Sequence, residues 1–308
     1  MKRWLTILST TMLGLPALTN AEDMLLSSAD GTVVFRGSYG ITAIEANELV
    51  YQGKQKLSQL IWESRVVSTF TGQATIDLDH LFLRATGTIG MDGDGHMRDY
   101  DWLVEGRPWS HRSVHPDTRL NHYFSGTIEA GREVLSYHDT TIALGGGIRY
   151  TDVKWTGWGG SYVYTSSDFR DTKGDFPAKE KGISYRQQWP VPFLGIDLAH
   201  SEGPWTLAGG FKAGLAVNGT GTDDHWMRDL RFIDHVDTTP AIMITGSAEY
   251  EIRPGTALFV SGAFDQIVRG RADTDMIDKL SGDKRRFSDG AGADFMSATV
   301  SLGLRGRF

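Results

Sequence analysis

Apolar and polar residues alternate along this chain with a period of two. In "AIMITGSAEYEIRPGTALFVSGAFD" (241–265), Ile242, Ile244, Gly246, Ala248, Tyr250 and Ile252 share one face, and Ala241, Met243, Thr245, Ser247, Glu249 and Glu251 the other. "RPGT" makes a tight turn, after which Leu258, Val260, Gly262 and Phe264 oppose Ala257, Phe259, Ser261, Ala263 and Asp265. The same period sets Leu81, Leu83, Ala85 and Ile89 against Phe82, Arg84, Thr86 and Thr88. At the end of the chain, Val300, Leu302, Leu304 and Phe308 oppose Thr299, Ser301, Arg305 and Arg307. Such alternation predicts β-strands with one apolar face. The runs are as long as the roughly 9–11 residues a tilted strand needs to cross hydrocarbon. A soluble sandwich would show the same alternation, with the apolar face buried. Long runs, alternating short and long connections and the aromatic Phe308 closing the last run favour a membrane barrel.

Polar, Gly- and Asp-rich stretches at 38–62, 91–117, 155–186, 216–240 and 266–295 read as long loops on one side. Short turns near 77–80, 130–139, 198–204 and 253–256 read as the periplasmic side. Five long loops imply ten strands, an even number as bacterial barrels require. The expected fold is therefore all-β, a ten-stranded antiparallel transmembrane β-barrel with long extracellular loops. It is expected to form one domain over 22–308.

Composition gives the address. "MKRWLTILSTTMLGLPALTNAED" begins with Lys2 and Arg3, continues with a mostly apolar core and ends in the small residues Thr19 and Ala21. That pattern predicts a secretory signal peptide over 1–21. No later stretch holds about 18 consecutive apolar residues, the length of a spanning helix. The chain has no cysteine, which excludes disulfides, thiol nucleophiles and zinc–thiolate sites. A formal charge of −7 without a basic stripe argues against nucleic acid as a partner.

Two pairs of residues carry candidate chemistry. Asp99 and Asp101 in "DYDW" are two positions apart, as are Asp223 and His225 in "DDHW". Residues i and i+2 of a strand point to the same side. Asp223 could fix the tautomer of His225, leaving the other ring nitrogen to take a proton from water. Asp99 and Asp101 could hold that water, each raising the pKa of the other. Such a site needs no protein nucleophile, cofactor or metal. Short acidic strings are, however, commonly solvated charge. "DGDGH" (92–96) starts like an EF-hand loop but lacks its later ligands and terminal Glu.

Taken with "HPDTRLN" (115–121), "GGSYVY" (159–164), "FRDTKGDFP" (169–177), "ELVY" (48–51) and "LSQLIW" (57–62), these motifs resemble the omptin family of outer-membrane endoproteases. The resemblance spans essentially the whole mature chain. It implies a ten-stranded barrel in the bacterial outer membrane, with its site in an outward-facing groove at the mouth. It implies Asp99, Asp101, Asp223 and His225 as the catalytic set and cleavage of peptides or proteins beside basic residues. Glu48 then supplies acid to the S1 pocket, and Met97 and Ile183 form its walls.

Four positions depart from the family's pattern. The family's second S1 acid falls at Gly221, which implies a pocket short of one carboxylate and a looser preference for Arg or Lys. Lipopolysaccharide is implied as an activator, yet Asp152, Gln188 and Asp237 stand where Arg, Arg and Lys are expected. A carboxylate facing a lipid phosphate is repulsive, so a weak response is expected unless residues such as Arg149 or Lys154 substitute. Competing readings are a surface adhesin or invasin on the same barrel and a passive porin. The porin is disfavoured by Arg84, Glu249, Glu251, Arg305 and Arg307, which are expected to fill the lumen.

Overall fold

The computed structural model describes residues 31–91 and 93–308. The expected signal peptide and Asp92 lie outside them. Strand β1 (Gly31–Gln52) pairs with β2 (Gln55–Leu78), and β2 with β3 (Leu81–Met91) and then β4 (Gly93–Asp101). These pair with β5 (His111–Tyr137), β5 with β6 (Thr140–Trp158), and β6 with β9 (Lys181–Glu202). Next come β10 (Trp205–Ala216) with β11 (Gly219–His225), then β12 (Leu230–Val236) with β13 (Thr239–Arg253). Finally β14 (Thr256–Asp278) joins β15 (Lys284–Arg307), which returns to β1 in a register from Val34↔Arg307 to Val50↔Ala291. Counting β3/β4, β10/β11 and β12/β13 as single walls, the ring closes with ten antiparallel staves. Closure leaves no free edge, as a barrel in lipid requires. The short strands β7 (Ser161–Tyr164) and β8 (Thr172–Asp175) form a flap on the upper part of β5.

The lower barrel turns its apolar face outward. Leu194 is 75% exposed, Val300 68% and Ile128 66%, with Leu81, Leu83, Leu258, Val260, Leu302 and Leu304 on the same belt. These are the faces the alternation predicts, and in water such a belt would aggregate. Aromatic pairs mark its edges: Trp205 against Tyr250 at 5.0 Å and Tyr39 against Phe70 at 5.2 Å between ring centres. Phe308 is tied to Val33 by two backbone hydrogen bonds of 3.1 and 2.9 Å.

Charge fills the lumen beneath the mouth. Arg84 meets Asp197 at 2.7 Å and Glu129 at 3.3 Å, and Lys212 also binds Glu129. Arg305 and Arg36 share Glu249, and Arg149 reaches Asp265 at 2.7 Å. Glu251 and Arg307, expected inside, sit exposed next to the periplasmic turn at Pro254–Gly255. Their faces are as expected, but they lie below the filled zone.

The long stretches expected as loops are mostly strand. Residues 38–62 contain a single two-residue turn at Gly53–Lys54, where Gly53 has φ +59°. The other outer connections shrink to 102–110, 159–180 around the flap, 226–229 and 279–283. The staves continue above the lipid, where the outer face no longer needs apolar residues although the backbone pairing is unchanged. Residues 93–96 are likewise extended strand rather than a cation-binding turn. The raised part has its own core: Trp62 stacks on Tyr185 at 5.8 Å and on Trp155 at 6.3 Å, and Trp155 donates to Ser64 Oγ at 3.0 Å.

Candidate active site

Asp99 and Asp101 close strand β4, held between β2 and β5 by pairs with Leu60 and Ser113 and with Ser58 and His111. Ser58 Oγ donates to Asp99 Oδ1 at 3.0 Å. Burial raises the Asp99 carboxyl well above the usual range, and the charges of Asp101 and Asp223 add to this. Asp101 is raised by burial as well. The pair is thus poised to share a proton.

Asp223 and His225 close strand β11, between β9 and β12. His225 Nε2 lies 2.6 Å from Asp223 Oδ2, and Asp223 is 1% exposed. The period of two turns Asp224 the other way, onto Arg231 at 2.9 Å and Lys279 at 3.4 Å. Trp226 donates to Ser184 Oγ at 2.8 Å and fixes the 3-10 turn (Trp226–Arg228) that follows. Asp223 adds to the raising of Asp99, and His225 acts in the opposite sense on Asp101, as expected of pairs that face one another at the mouth.

One detail departs from the sequence reading. The second ring nitrogen of His225 is not open: the Arg228 guanidinium lies against Nδ1 and is 3.2 Å from Nε2. Arg228 also acts electrostatically on Asp99 and Asp101.

Glu48 on β1 sits beneath the groove, 4% exposed. Burial raises its carboxyl strongly, followed by the charges of Asp223, Asp234 and Asp99. Met97 and Ile183 are buried in the core cluster of the raised barrel. Met97 pairs with Trp62 and His115, and Ile183 with His225 and Gly157. The motifs that carry the resemblance build the rim. Arg170 of "FRD" donates to Trp109 O at 2.9 and 2.6 Å. Phe176 stacks on His115 at 5.2 Å. Tyr164 of "GGSYVY" packs on His111 at 5.1 Å, and its hydroxyl is pushed up to about 12 by burial and then by Asp99 and Asp101. Ser58, Tyr164 and Asp234 escape the sequence because cross-strand register places them, and Arg228 because the 3-10 turn after β11 folds it back onto His225.

At the rim, Asp152 and Gln188 are register partners on β6 and β9. Asp152 is not a bare charge: Arg186 binds it through two nitrogens and His122 Nε2 at 2.8 Å. Asp237 is exposed. Arg149 does not point to the outer wall: its side chain reaches Asp265 at 2.7 Å.

A closed barrel with a lipid-facing belt and an acid–histidine groove at its outer mouth defines an outer-membrane β-barrel enzyme. The chain belongs to the omptin family, whose sequence profile matches residues 30–308. It is 28% identical to the plasminogen activator of Yersinia pestis over 304 residues, covering 97% of this chain and 96% of that one. It is 26% identical to outer membrane protease OmpP of Escherichia coli, covering 98% and 99%. The crystal structure of outer membrane protease OmpT from Escherichia coli superposes with a TM-score of 0.86 at 24% identity, over 92% of this chain and 99% of that one. That last likeness concerns fold alone. Family and relatives together make the protein an outer-membrane protease.

Proposed function

We propose that the protein is an endopeptidase of aspartyl type that uses a water activated by Asp223 and His225, and that it cleaves beside basic residues. The observation that carries the mechanism is the 2.6 Å contact between Asp223 Oδ2 and His225 Nε2, with the acids Asp99 and Asp101 facing it. Asp223 accepts a hydrogen bond from Nε2–H and so leaves the Nδ1 lone pair as the base. Arg228, exposed on its short turn, withdraws when substrate enters the groove. His225 Nδ1 then takes a proton from a water lying between it and the carboxyl pair. The hydroxide adds to the scissile carbonyl carbon. Asp99 and Asp101, sharing a proton, hold the water and then the oxygen on which charge develops. Collapse of the tetrahedral intermediate breaks the C–N bond, and the His225 proton passes to the leaving amine.

Basic specificity is supported by Glu48, a deeply buried carboxylate whose Oε2 has no hydrogen-bond partner among the described residues. A cationic side chain entering beneath the groove would satisfy it. Met97 and Ile183 supply apolar wall for the stem of that side chain. The expected partners are outer-membrane lipid and protein substrates with basic residues. Lipopolysaccharide activation is expected to be weak, because the Arg186 fork is already committed to Asp152. The test is digestion of a peptide library by the refolded barrel, with and without lipopolysaccharide, read by mass spectrometry. Cuts clustered beside Arg and Lys support the reading. An absence of cuts together with tight binding of host proteins would favour an adhesin.

A further inference from the structure

Gly221 on β11 stands directly opposite Asp234 on β12. A Cβ on Gly221 would lie 3.2 Å from Asp234 Oδ2 and 3.1 Å from the Tyr185 hydroxyl. The Asp234 carboxylate thus occupies the space that a side chain at 221 would enter. It is 3% exposed, and its charge reaches Glu48 and Tyr185. Glu48 Oε2 and Asp223 Oδ1, both buried, have no hydrogen-bond partner among the described residues.

Two buried acids nearby have Lys or Arg partners. Asp224 holds Arg231 and Lys279, and Asp275 holds Lys284 at 3.0 Å. Among the described residues, Glu48 and Asp234 form no ion pair with Lys or Arg. Buried carboxyls without a counter-charge are held protonated, and a cation entering beside them favours their ionised form. Glu48 comes from β1 and Asp234 from β12, so a planar guanidinium would be gripped from two walls.

We infer that Asp234 is the second carboxylate of the S1 pocket, taking with Glu48 the guanidinium or ammonium group of the residue before the cleaved bond. The inference rests on the endopeptidase reading above and assigns a specificity-determining residue that the motifs did not. It replaces the expectation that Gly221 leaves the pocket one carboxylate short: the acid has moved to the facing strand, and Gly221 leaves it room. Burial, with the charge of Asp223 adding, pushes Asp234 up to about 7. A cation binds its ionised form. Preference for a cationic residue therefore strengthens as pH rises through neutrality and weakens below it.

The test uses the refolded full barrel and two peptides that differ only in Arg or its neutral isostere citrulline before the cleaved bond. The ratio of their kcat/KM values cancels any titration of the catalytic groups. The wild type should favour Arg, increasingly so across neutrality. Asp234→Asn should lower the ratio about tenfold or more and flatten its pH dependence. Asp234→Gly combined with Gly221→Asp, which returns the carboxylate to the facing strand, should restore the ratio. An Asp234→Asn barrel that folds and keeps the wild-type ratio overturns the inference but leaves the basic-residue reading standing. Failure of the exchanged variant to restore the ratio would assign Asp234 a packing role instead. If Asp234→Asn does not fold, Asp234→Ser takes its place, and a wild-type ratio in that variant overturns the inference. A wild type that cuts both peptides equally overturns the basic-residue reading with it.

Discussion

Asp223 is buried against one nitrogen of His225, while Arg228 covers the other. Asp223→Asn keeps the shape but presents an amide where an acceptor is needed, and the imidazole loses its tautomer. Turnover should drop by about 10²–10⁴, measured on a fluorogenic peptide, while the folded band on a gel persists. Asp234 bears on stability. Its carboxyl is raised to about 7 in the fold, so ionising it there costs stability. That cost is absent below the unfolded pKa, grows as pH rises and is complete above the folded value. Asp234→Asn should therefore raise the temperature of heat-modification at alkaline pH, with the gain shrinking as pH falls below neutrality. A gain of equal size at acid pH would show that the carboxyl is not perturbed. The proposed catalytic pairs were legible because a period of two puts i and i+2 on one face. Asp234 was not, because only the β11–β12 register reveals that it faces Gly221.

Strand period was the clearest signal in the chain, and the outward faces of β3, β13, β14 and β15 are those it predicted. The upper staves were misread as loops for a physical reason. Above the lipid both faces of a strand are wet or packed irregularly, so alternation fades although the strands stay paired, with bulges such as Ile267/Gly270 and Ala272/Thr274. The turn after β11 carries a prediction at this scale. Arg228 blocks the proposed base in the unliganded groove and is exposed. Arg228→Ala should raise kcat/KM severalfold on peptides with basic residues, since no protein cation then has to leave. A loss of activity would make Arg228 a substrate-binding or charge-stabilising group. At the β6–β9 rim, Asp152→Arg should release Arg186 and enlarge the response to titrated lipopolysaccharide. A large wild-type activation unaffected by this change would place the lipid elsewhere.

The barrel has two solvents outside and one charged network within. The lipid belt should make the folded form migrate fast on an unheated gel and slower after boiling, and a helical far-UV spectrum in detergent would contradict the fold. Glu129 joins Arg84 and Lys212 deep in the lumen. Removing one member of such a network leaves uncompensated charge, so Glu129→Gln should destabilise the barrel by about 3–5 kcal/mol. A denaturant midpoint at the wild-type value would show that water screens the lumen. This network supports the groove from below without taking part in its chemistry, so activity at low temperature should survive the change. The central claim is that the groove hydrolyses peptide bonds with a water activated by His225. It is tested most directly by the turnover of His225→Ala on a peptide with basic residues, in the presence of a chelator, beside the wild type. The account predicts that the wild type is unaffected by the chelator, whereas the variant folds and loses about 10²–10⁴ in kcat. Near-normal turnover by His225→Ala, or a wild type silenced by chelation and revived by zinc, would contradict it.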